Sequence, residues 1–377
     1  GLGLAIVGQH SGNAHAARTS RQDVEWGLVT RPTIRILRIS DLRSSTTTDA
    51  DLLAGSRQAG LVGGSADPAA LAFGPQGEVV ALMSGTGEVA SSLGFGERYD
   101  RIQVGRGASA LAVDAEARTA YTADEFDDAI SVVDLTDGKL AARIPLSKNG
   151  LRKPATLAEE GEALFRDARL SEDGWMSCQT CHADGHTSGV MSDTQGDDTY
   201  GAPKRTPSLL GAAETAPFGW LGNVRRLDDQ IRKSLDSTMH AHEPSPRQIE
   251  ALAAYLKTLA PPPPVAADSR AVARGREVFE SSRCDACHTA PSYTTPMRYD
   301  VGLTDAVGND KFNPPSLRGV GHRSPLLHDG SSPSLFDLFR RVRHPDQAEM
   351  TDAEIDDLVA FLDRKSTRLN SSHGYIS

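Results

Sequence analysis

Apolar and polar positions alternate in short runs over the first 147 residues. AIVGQH from Ala5, TIRILRISDL from Thr33, PAALAFGPQGEVVAL from Pro68 and AISVVDLTDGKLAARIPL from Ala129 each keep a period of two between Gly, Asp or Pro turns. That period predicts β-strands. From Ala155 the spacing changes, and LAEEGEALFRDARL, IEALAAYL and IDDLVAFL carry their apolar residues three and four apart, which predicts helices ending near Phe165, opening at Ser245 and opening near Thr351. A second helix is expected to end near Phe279. Two breaks divide the chain. One lies at 147–154, where the strand pattern stops; the other is the four-proline run 261–264, which cannot continue a helix and favours a stiff extended spacer. The expected organisation is multidomain: an all-β part at 1–147, then two all-α parts at 155–260 and 265–364.

Both parts repeat internally. PAALAFGPQGEVVAL from Pro68 aligns with ASALAVDAEARTAY from Ala108 at a spacing of 40, and RIQV from Arg101 echoes RIPL from Arg143. Several strands per 40-residue unit point to propeller blades. The stretch from Tyr121 to Leu146 resembles the YVTN-type β-propeller repeat, and with the segments near Ala5 and Thr33 it implies a partial propeller of about three blades. In the helical part, PSLLG from Pro207 matches PSLRG from Pro315, and APFGWLGNVRRLDDQ from Ala216 matches SPLLHDGSSPSLFDL from Ser324, both at an offset of 108. The closing helices align at 106. One module of about 105 residues is therefore present twice.

Composition excludes several classes. Of 377 residues, 50 are acidic and 40 basic, a formal charge of −10, so nothing favours nucleic acid or anionic lipid as a partner. No apolar run is long enough to span a bilayer, so no integral membrane segment is expected. The chain opens on Gly1 without a secretory pattern and is expected to be a fragment, with earlier blades missing. Residues 365–377, KSTRLNSSHGYIS, have no apolar period and resemble translated adapter sequence, so they are set aside as a non-native tail.

The chemistry lies in four cysteines. Cys178, Cys181 and His182 form CQTCH, and Cys284, Cys287 and His288 form CDACH, again 106 apart. C-x-x-C-H is the attachment signature of c-type haem: two thiols three residues apart each add to one vinyl group, and the adjacent imidazole reaches the iron from one face. A redox dithiol would expect a βαβ setting, and zinc would need two further ligands for each pair. Two covalent haems use every cysteine and leave none for a disulfide.

The second axial position is less determined. Met239, shortly before the closing helix of the first module, suits a Met/His iron, with His240 and His242 as competitors and core packing as its plain alternative. In the second module His344 holds the analogous place, seven residues before its helix; an exposed loop histidine, an open iron, Met350 and Met297 are the alternatives.

Together these residues resemble the bacterial di-haem cytochrome c peroxidase family, which includes the di-haem enzyme that matures methylamine dehydrogenase. The second module keeps FNPPSLRGVGHRSPLLHDGSSPSLFDLF, and the first keeps RTPSLLGAAETAPFGWLGNVRRLDDQI, with Trp220 where the second has His328. In that family the methionine ligand follows the HDGS-like turn by 14 residues; the same count reaches Val342 and Ser234 here, so its ligation pattern is not inherited intact. The resemblance implies a periplasmic or extracytoplasmic di-haem cytochrome that transfers electrons with a protein donor or acceptor, or reduces a small oxidant such as hydrogen peroxide. The alternative is a non-catalytic relay whose propeller docks a partner, and a dehydrogenase with its site in the blades is a further one. His186, Asp193 and Glu214 are candidates for acid–base work, and Trp220 for an inter-haem path.

Overall fold

The computed structural model of the chain describes residues 3–11, 17–38, 57–60, 63–74, 77–93, 99–114, 116, 118–147, 155–263, 267–345 and 349–363; most of the 147–154 break and the 365–377 tail lie outside them. The strands in chain order are β1 (Gly3–Ser11), β2 (Ala17–Arg18), β3 (Thr30–Arg38), β4 (Arg57–Gly60), β5 (Pro68–Phe73), β6 (Glu78–Met83), β7 (Glu88–Leu93), β8 (Asp100–Gln103), β9 (Ala108–Asp114), β10 (Thr119–Asp124), β11 (Ala129–Asp134), β12 (Lys139–Pro145), β13 (Met191–Asp193), β14 (Lys204–Arg205), β15 (Tyr299–Asp300) and β16 (Lys311–Phe312). The helices are α1 (Arg21–Glu25), α2 (Leu157–Phe165), α3 (Cys178–Cys181), α4 (Leu227–Lys233), α5 (Pro246–Leu256), α6 (Ser269–Ser281), α7 (Leu335–Asp337) and α8 (Asp352–Asp363). Antiparallel sheets thus occupy the N-terminal part and helices the C-terminal part. Two compact units result, one of Gly1–Asn13, Ser20–Thr180 and Met239–Gln248, the other of Ala14–Thr19, Cys181–Thr238 and Ile249–Ser377.

In the first unit, β5 to β8 and β9 to β12 each form a four-stranded up-and-down sheet, and β1, β3 and β4 form a third. The spacing of 40 therefore falls on the first strand of each four-stranded sheet. Val80, Leu82, Val89, Ile102 and Val104 of one sheet share a core with Ala108, Ala120 and Val133 of the next. Arg118 adds an ion pair to Glu78 at 2.6 Å. The strands near Ala5 and Thr33 pair antiparallel, with Ala5 opposite Ile36 and Gly8 opposite Thr33.

The chain leading into the first cysteine motif packs on these sheets. Helix α2 opens with a capping box between Thr156 and Glu159 and buries Phe165. Past it, Ala168 N–H donates to the Gly85 carbonyl at 2.8 Å, and Trp175 Nε1–H to the Glu25 carbonyl at 3.1 Å. Asp67, in the loop before β5, accepts from Ser177 Oγ at 2.5 Å and from Thr180 Oγ1 at 2.7 Å. Burial raises its pKa and those two hydroxyls work in the opposite direction. An acidic side chain in the loop before β5 thus holds α3.

The second unit shows the duplication in three dimensions. The 3-10 turns Ala212–Glu214 and Val320–His322, and the isolated bridges Phe218 to Val224 and Leu326 to Ser332, recur at 108. Across the modules, Arg205 N–H donates to the His328 carbonyl at 2.7 Å, and Asn313 N–H to the Trp220 carbonyl at 2.9 Å. Arg205 and Asn313 are equivalents, as are Trp220 and His328, so the contact is reciprocated as across a local two-fold. The proline run is not a free spacer. A Cβ on Gly211 would come within 2.6 Å of Pro261, and one on Gly319 within 2.6 Å of Pro262, so each module receives one proline at the same left-handed glycine.

The modules are not purely helical, which corrects the sequence expectation. β15 pairs with β16, β13 pairs with β14, and β2 runs parallel to β13 with Ala17 opposite Ser192. Strands of two or three residues carry no readable period, so they left no sequence signal. Helices α6 and α8 close the second module around Phe279, Leu338, Ile355, Leu358 and Phe361. Their approach requires Gly275, where a Cβ would lie 1.9 Å from the Asp357 carbonyl oxygen.

Lys204 clamps the modules by ion pairs to Asp197 at 2.9 Å and Asp305 at 3.0 Å. Burial opposes the charge on Asp305, but hydrogen bonds from Asn309 and Lys204 and the ammonium charge outweigh it and hold the carboxyl at about 2. A folded pKa below the ordinary 3.8 means stability that is complete above that value and lost as the pH falls through about 2. Lys204→Met is expected to cost about 3 kcal/mol at pH 7, with much of the loss of stability between pH 4 and pH 2 removed, as measured by urea unfolding across that range. Asp67→Ala, which leaves two part-buried hydroxyls without this acceptor, is expected to cost roughly 2 kcal/mol in the same assay, and Asp67→Asn less, since an acceptor and a residue tolerant of the left-handed backbone remain.

Candidate haem sites

The first cysteine pair lies on the single turn of α3, and the second on the 3-10 turn Cys284–Ala286 and the residue after it. None of the four cysteines is in a disulfide, and all are partly buried. Burial pushes the Cys284 thiol up to about 11 and raises that of Cys287, the reverse of what a redox dithiol needs. Among the described residues no group of three or more His, Cys, Asp or Glu side chains forms a metal cage, so neither pair has a zinc partner set there.

Each motif histidine is fixed by a backbone carbonyl. His182 Nδ1–H donates to the Pro207 carbonyl at 3.0 Å, and His288 Nδ1–H to the Tyr293 carbonyl at 3.1 Å. Burial lowers both rings to about 4 against the pull of these carbonyls. Because a carbonyl only accepts, each neutral ring holds its proton on Nδ1 and its lone pair on Nε2. That is the tautomer and orientation a metal-bound histidine takes. Pro207 and Pro315, which also faces the His288 ring, open the repeated PSL segments, which explains why that repeat accompanies the cysteine motif.

Met239 and His344 both come after a π-helical turn, Ser234–Thr238 in one module and Leu338–Val342 in the other. Such turns concentrate at functional positions. The His344 ring lies 6.5 Å from that of His288, centroid to centroid, at an interplanar angle of 69°. Two imidazoles on opposite faces of one metal ion, each bonded at roughly 2.0–2.1 Å, have centroids about 6–6.5 Å apart. His344 Nδ1 is buried without a hydrogen-bond partner among the described residues. Met239 is arranged differently: its Sδ rests 4.0 Å from Cys178 Sγ, and its carbonyl accepts the Glu172 N–H at 2.9 Å.

The competing ligands fall elsewhere. Met350 packs against the core of the second module, Met297 is 61% exposed, and His242 stands 3.7 Å from Glu172. The acid–base candidates are all engaged. His186 Nδ1 accepts from Ser208 Oγ and its Nε2–H donates to the His322 carbonyl, both at 2.7 Å. Asp193 is buried and accepts from Gly201 N–H at 2.6 Å, and Glu214 pairs with Arg318 at 3.3 Å. Trp220 donates its indole N–H to the Arg205 carbonyl at 2.8 Å and meets His328 edge-on at 6.4 Å, while His328 stacks on Phe312 at 4.3 Å. Sequence reasoning missed the carbonyl partners and Asp67, which have no spacing rule to betray them.

The donor set therefore fits covalently attached haem: paired cysteines outside any disulfide, adjacent imidazoles in the metal-binding tautomer, and a buried second imidazole with an orphaned nitrogen. Comparison with known proteins agrees. Residues 155–264 match the family described as di-haem cytochrome c peroxidase. The chain is 26% identical over 288 aligned residues to the methylamine utilization protein MauG of Methylophilus methylotrophus, covering 58% of this chain and 84% of that protein. It is 25% identical to the cytochrome c551 peroxidase of Nitrosomonas europaea, covering 60% and 85% respectively. Among solved structures, a MauG-like protein associated with microbial copper homeostasis aligns over 57% of this chain and 90% of its own at 20% identity, with a TM-score of 0.44. Over residues 155–264 the chain is similar to the di-haem cytochrome c peroxidase family, and its two C-x-x-C-H motifs are those of two covalently bound c-type haems.

Proposed function

We propose that Cys178 and Cys181 anchor one haem with His182 as its proximal ligand, that Cys284, Cys287 and His288 hold the other, and that His344 closes the second iron. The protein would then be an extracytoplasmic di-haem cytochrome that transfers electrons to a small oxidant, hydrogen peroxide. The observation that carries this reading is the 6.5 Å pairing of the His288 and His344 rings. When bound, the haems supply one-electron redox chemistry. His344 excludes oxidant from the second site, which confines that site to electron transfer. At the first site the Met239 sulfur rests 4.0 Å from the Cys178 thiol. Unlike ligation gives the two haems unlike potentials, so electrons have a preferred direction between them. Trp220 and His328, in contact between the modules, offer those electrons a route through protein.

The extracytoplasmic setting follows from the chemistry of attachment, which bacteria carry out outside the cytoplasmic membrane. No helix among the described residues is long and apolar enough to cross a membrane. The 1–147 sheets would serve as a propeller-like docking platform, with 155–260 and 265–364 as the two cytochrome modules. A second reading, a pure relay without a substrate of its own, is favoured by one observation: His186, Asp193 and Glu214 all have partners, so none stands free to deliver a proton to peroxide.

Carbon monoxide added to the dithionite-reduced protein separates the readings. One binding haem per chain, together with peroxide-driven reoxidation, is expected for the enzyme; no binding at either haem is expected for the relay. His344→Ala should convert the second haem from low spin to high spin and add a carbon monoxide site. A variant with an unchanged ferric spectrum would exclude His344 as the ligand.

A further inference from the structure

Three guanidinium groups meet where the two haem modules join. Arg205 and Arg318 are 4% and 6% exposed, and Arg323 lies beside them. Burial, with repulsion from Arg205 and Arg318, pushes Arg323 down to about 10. Their hydrogen bonds go to carbonyls: Arg318 Nη2 donates to Gly211 O at 3.0 Å, Arg323 Nη1 to Ser316 O at 2.7 Å and a second Arg323 nitrogen to Arg318 O. Arg205 makes long contacts to Leu327 O and Thr206 O, both at 3.4 Å, and lies 5.7 Å from the Trp220 ring centroid. Among the described residues one carboxylate pairs with the cluster, that of Glu214 on Arg318, and its side chain is 60% exposed. The Nε atoms of Arg318 and Arg323 are buried with no partner among the described residues.

Buried cations persist when anions or full hydrogen bonding compensate them. Here three cations face one solvated acid. Their place in the chain names the missing anion. Arg205 stands two residues before Pro207, whose carbonyl holds His182, and Arg318 three residues after Pro315, which faces His288. The cluster therefore borders the proximal shells of both haems. We propose that Arg205, Arg318 and Arg323 form a carboxylate site that takes haem propionates at the module junction. The forked guanidinium matches a carboxylate in shape as well as charge. Compensation of a propionate charge by these cations makes the nearby iron easier to reduce, so the cluster also sets potential.

This inference rests on the di-haem reading, which is tested first and separately: a pyridine haemochrome assay should give two haems per chain in the wild type. On that background, Arg318→Gln and Arg205→Gln in the haem-loaded protein are expected to shift the propionate-bending bands of the resonance Raman spectrum and to lower the midpoint potential of at least one haem. Arg318→Lys, which keeps the charge and loses the fork, should shift the bands with a smaller fall in potential. Unchanged bands and potentials in all three, with only a lower thermal midpoint, would reduce the cluster to a structural clamp and overturn the proposal. Inorganic phosphate supplies the other arm. A saturable rise in the wild-type thermal midpoint that disappears in Arg318→Gln, with Raman bands unmoved, would make this a free-oxyanion site and overturn it equally.

Discussion

One reciprocated contact organises the helical half. Arg205 gives its backbone N–H to His328, and the equivalent Asn313 gives its own to Trp220. Two copies of one module can bury the same face only if that face complements itself, and this pair of bonds is how it does so. The proline run obeys the same rule, with Pro261 and Pro262 seated on equivalent glycines. The contact sets Trp220 against His328, brings Arg205 to Arg318 and Arg323, and leads Lys204 to Asp305. Duplication thus generates a junction that neither module has alone.

Equivalent modules have diverged where their chemistry differs. Both place the motif histidine on a carbonyl, both close with an amphipathic helix, and both insert a π-turn ahead of it. Beyond that turn one copy presents a sulfur and the other an imidazole. The sulfur lies 4.0 Å from the Cys178 thiol, whereas the imidazole lies 6.5 Å from the His288 ring, centroid to centroid. Small divergence on a shared scaffold is a direct way to give two otherwise similar irons different ligation, and ligation is a strong determinant of potential.

The β half is tied to this chemistry through Asp67. A buried carboxyl between two hydroxyls is costly to leave unmatched, and here its partners flank the first attachment cysteine. The loop before β5 therefore holds α3, a helix of a single turn that has too few internal hydrogen bonds to persist unaided. Past helix α2, Ala168 bonds to Gly85 in the turn between β6 and β7, and Trp175 to Glu25 of helix α1.

Features governed by local spacing were legible in the amino-acid order alone. C-x-x-C-H at 178–182 and 284–288 names its chemistry because thiols and imidazole must sit within one turn. The 40- and 108-residue repeats are visible because each unit reuses one period, and the helices ending at Phe165 and opening after Ser245 declare themselves by their apolar stripe and caps. His344 was legible as the analogue of Met239, yet nothing local ranked it above a loop histidine. It took the folded chain to show that its ring faces His288, that Met239 packs at a thiol, that β2 joins β13, and that three arginines converge. Each of these depends on residues tens to hundreds of positions apart. Their energies come from burial and from pairing charges away from water, quantities that a one-dimensional pattern does not contain until the chain has closed on itself.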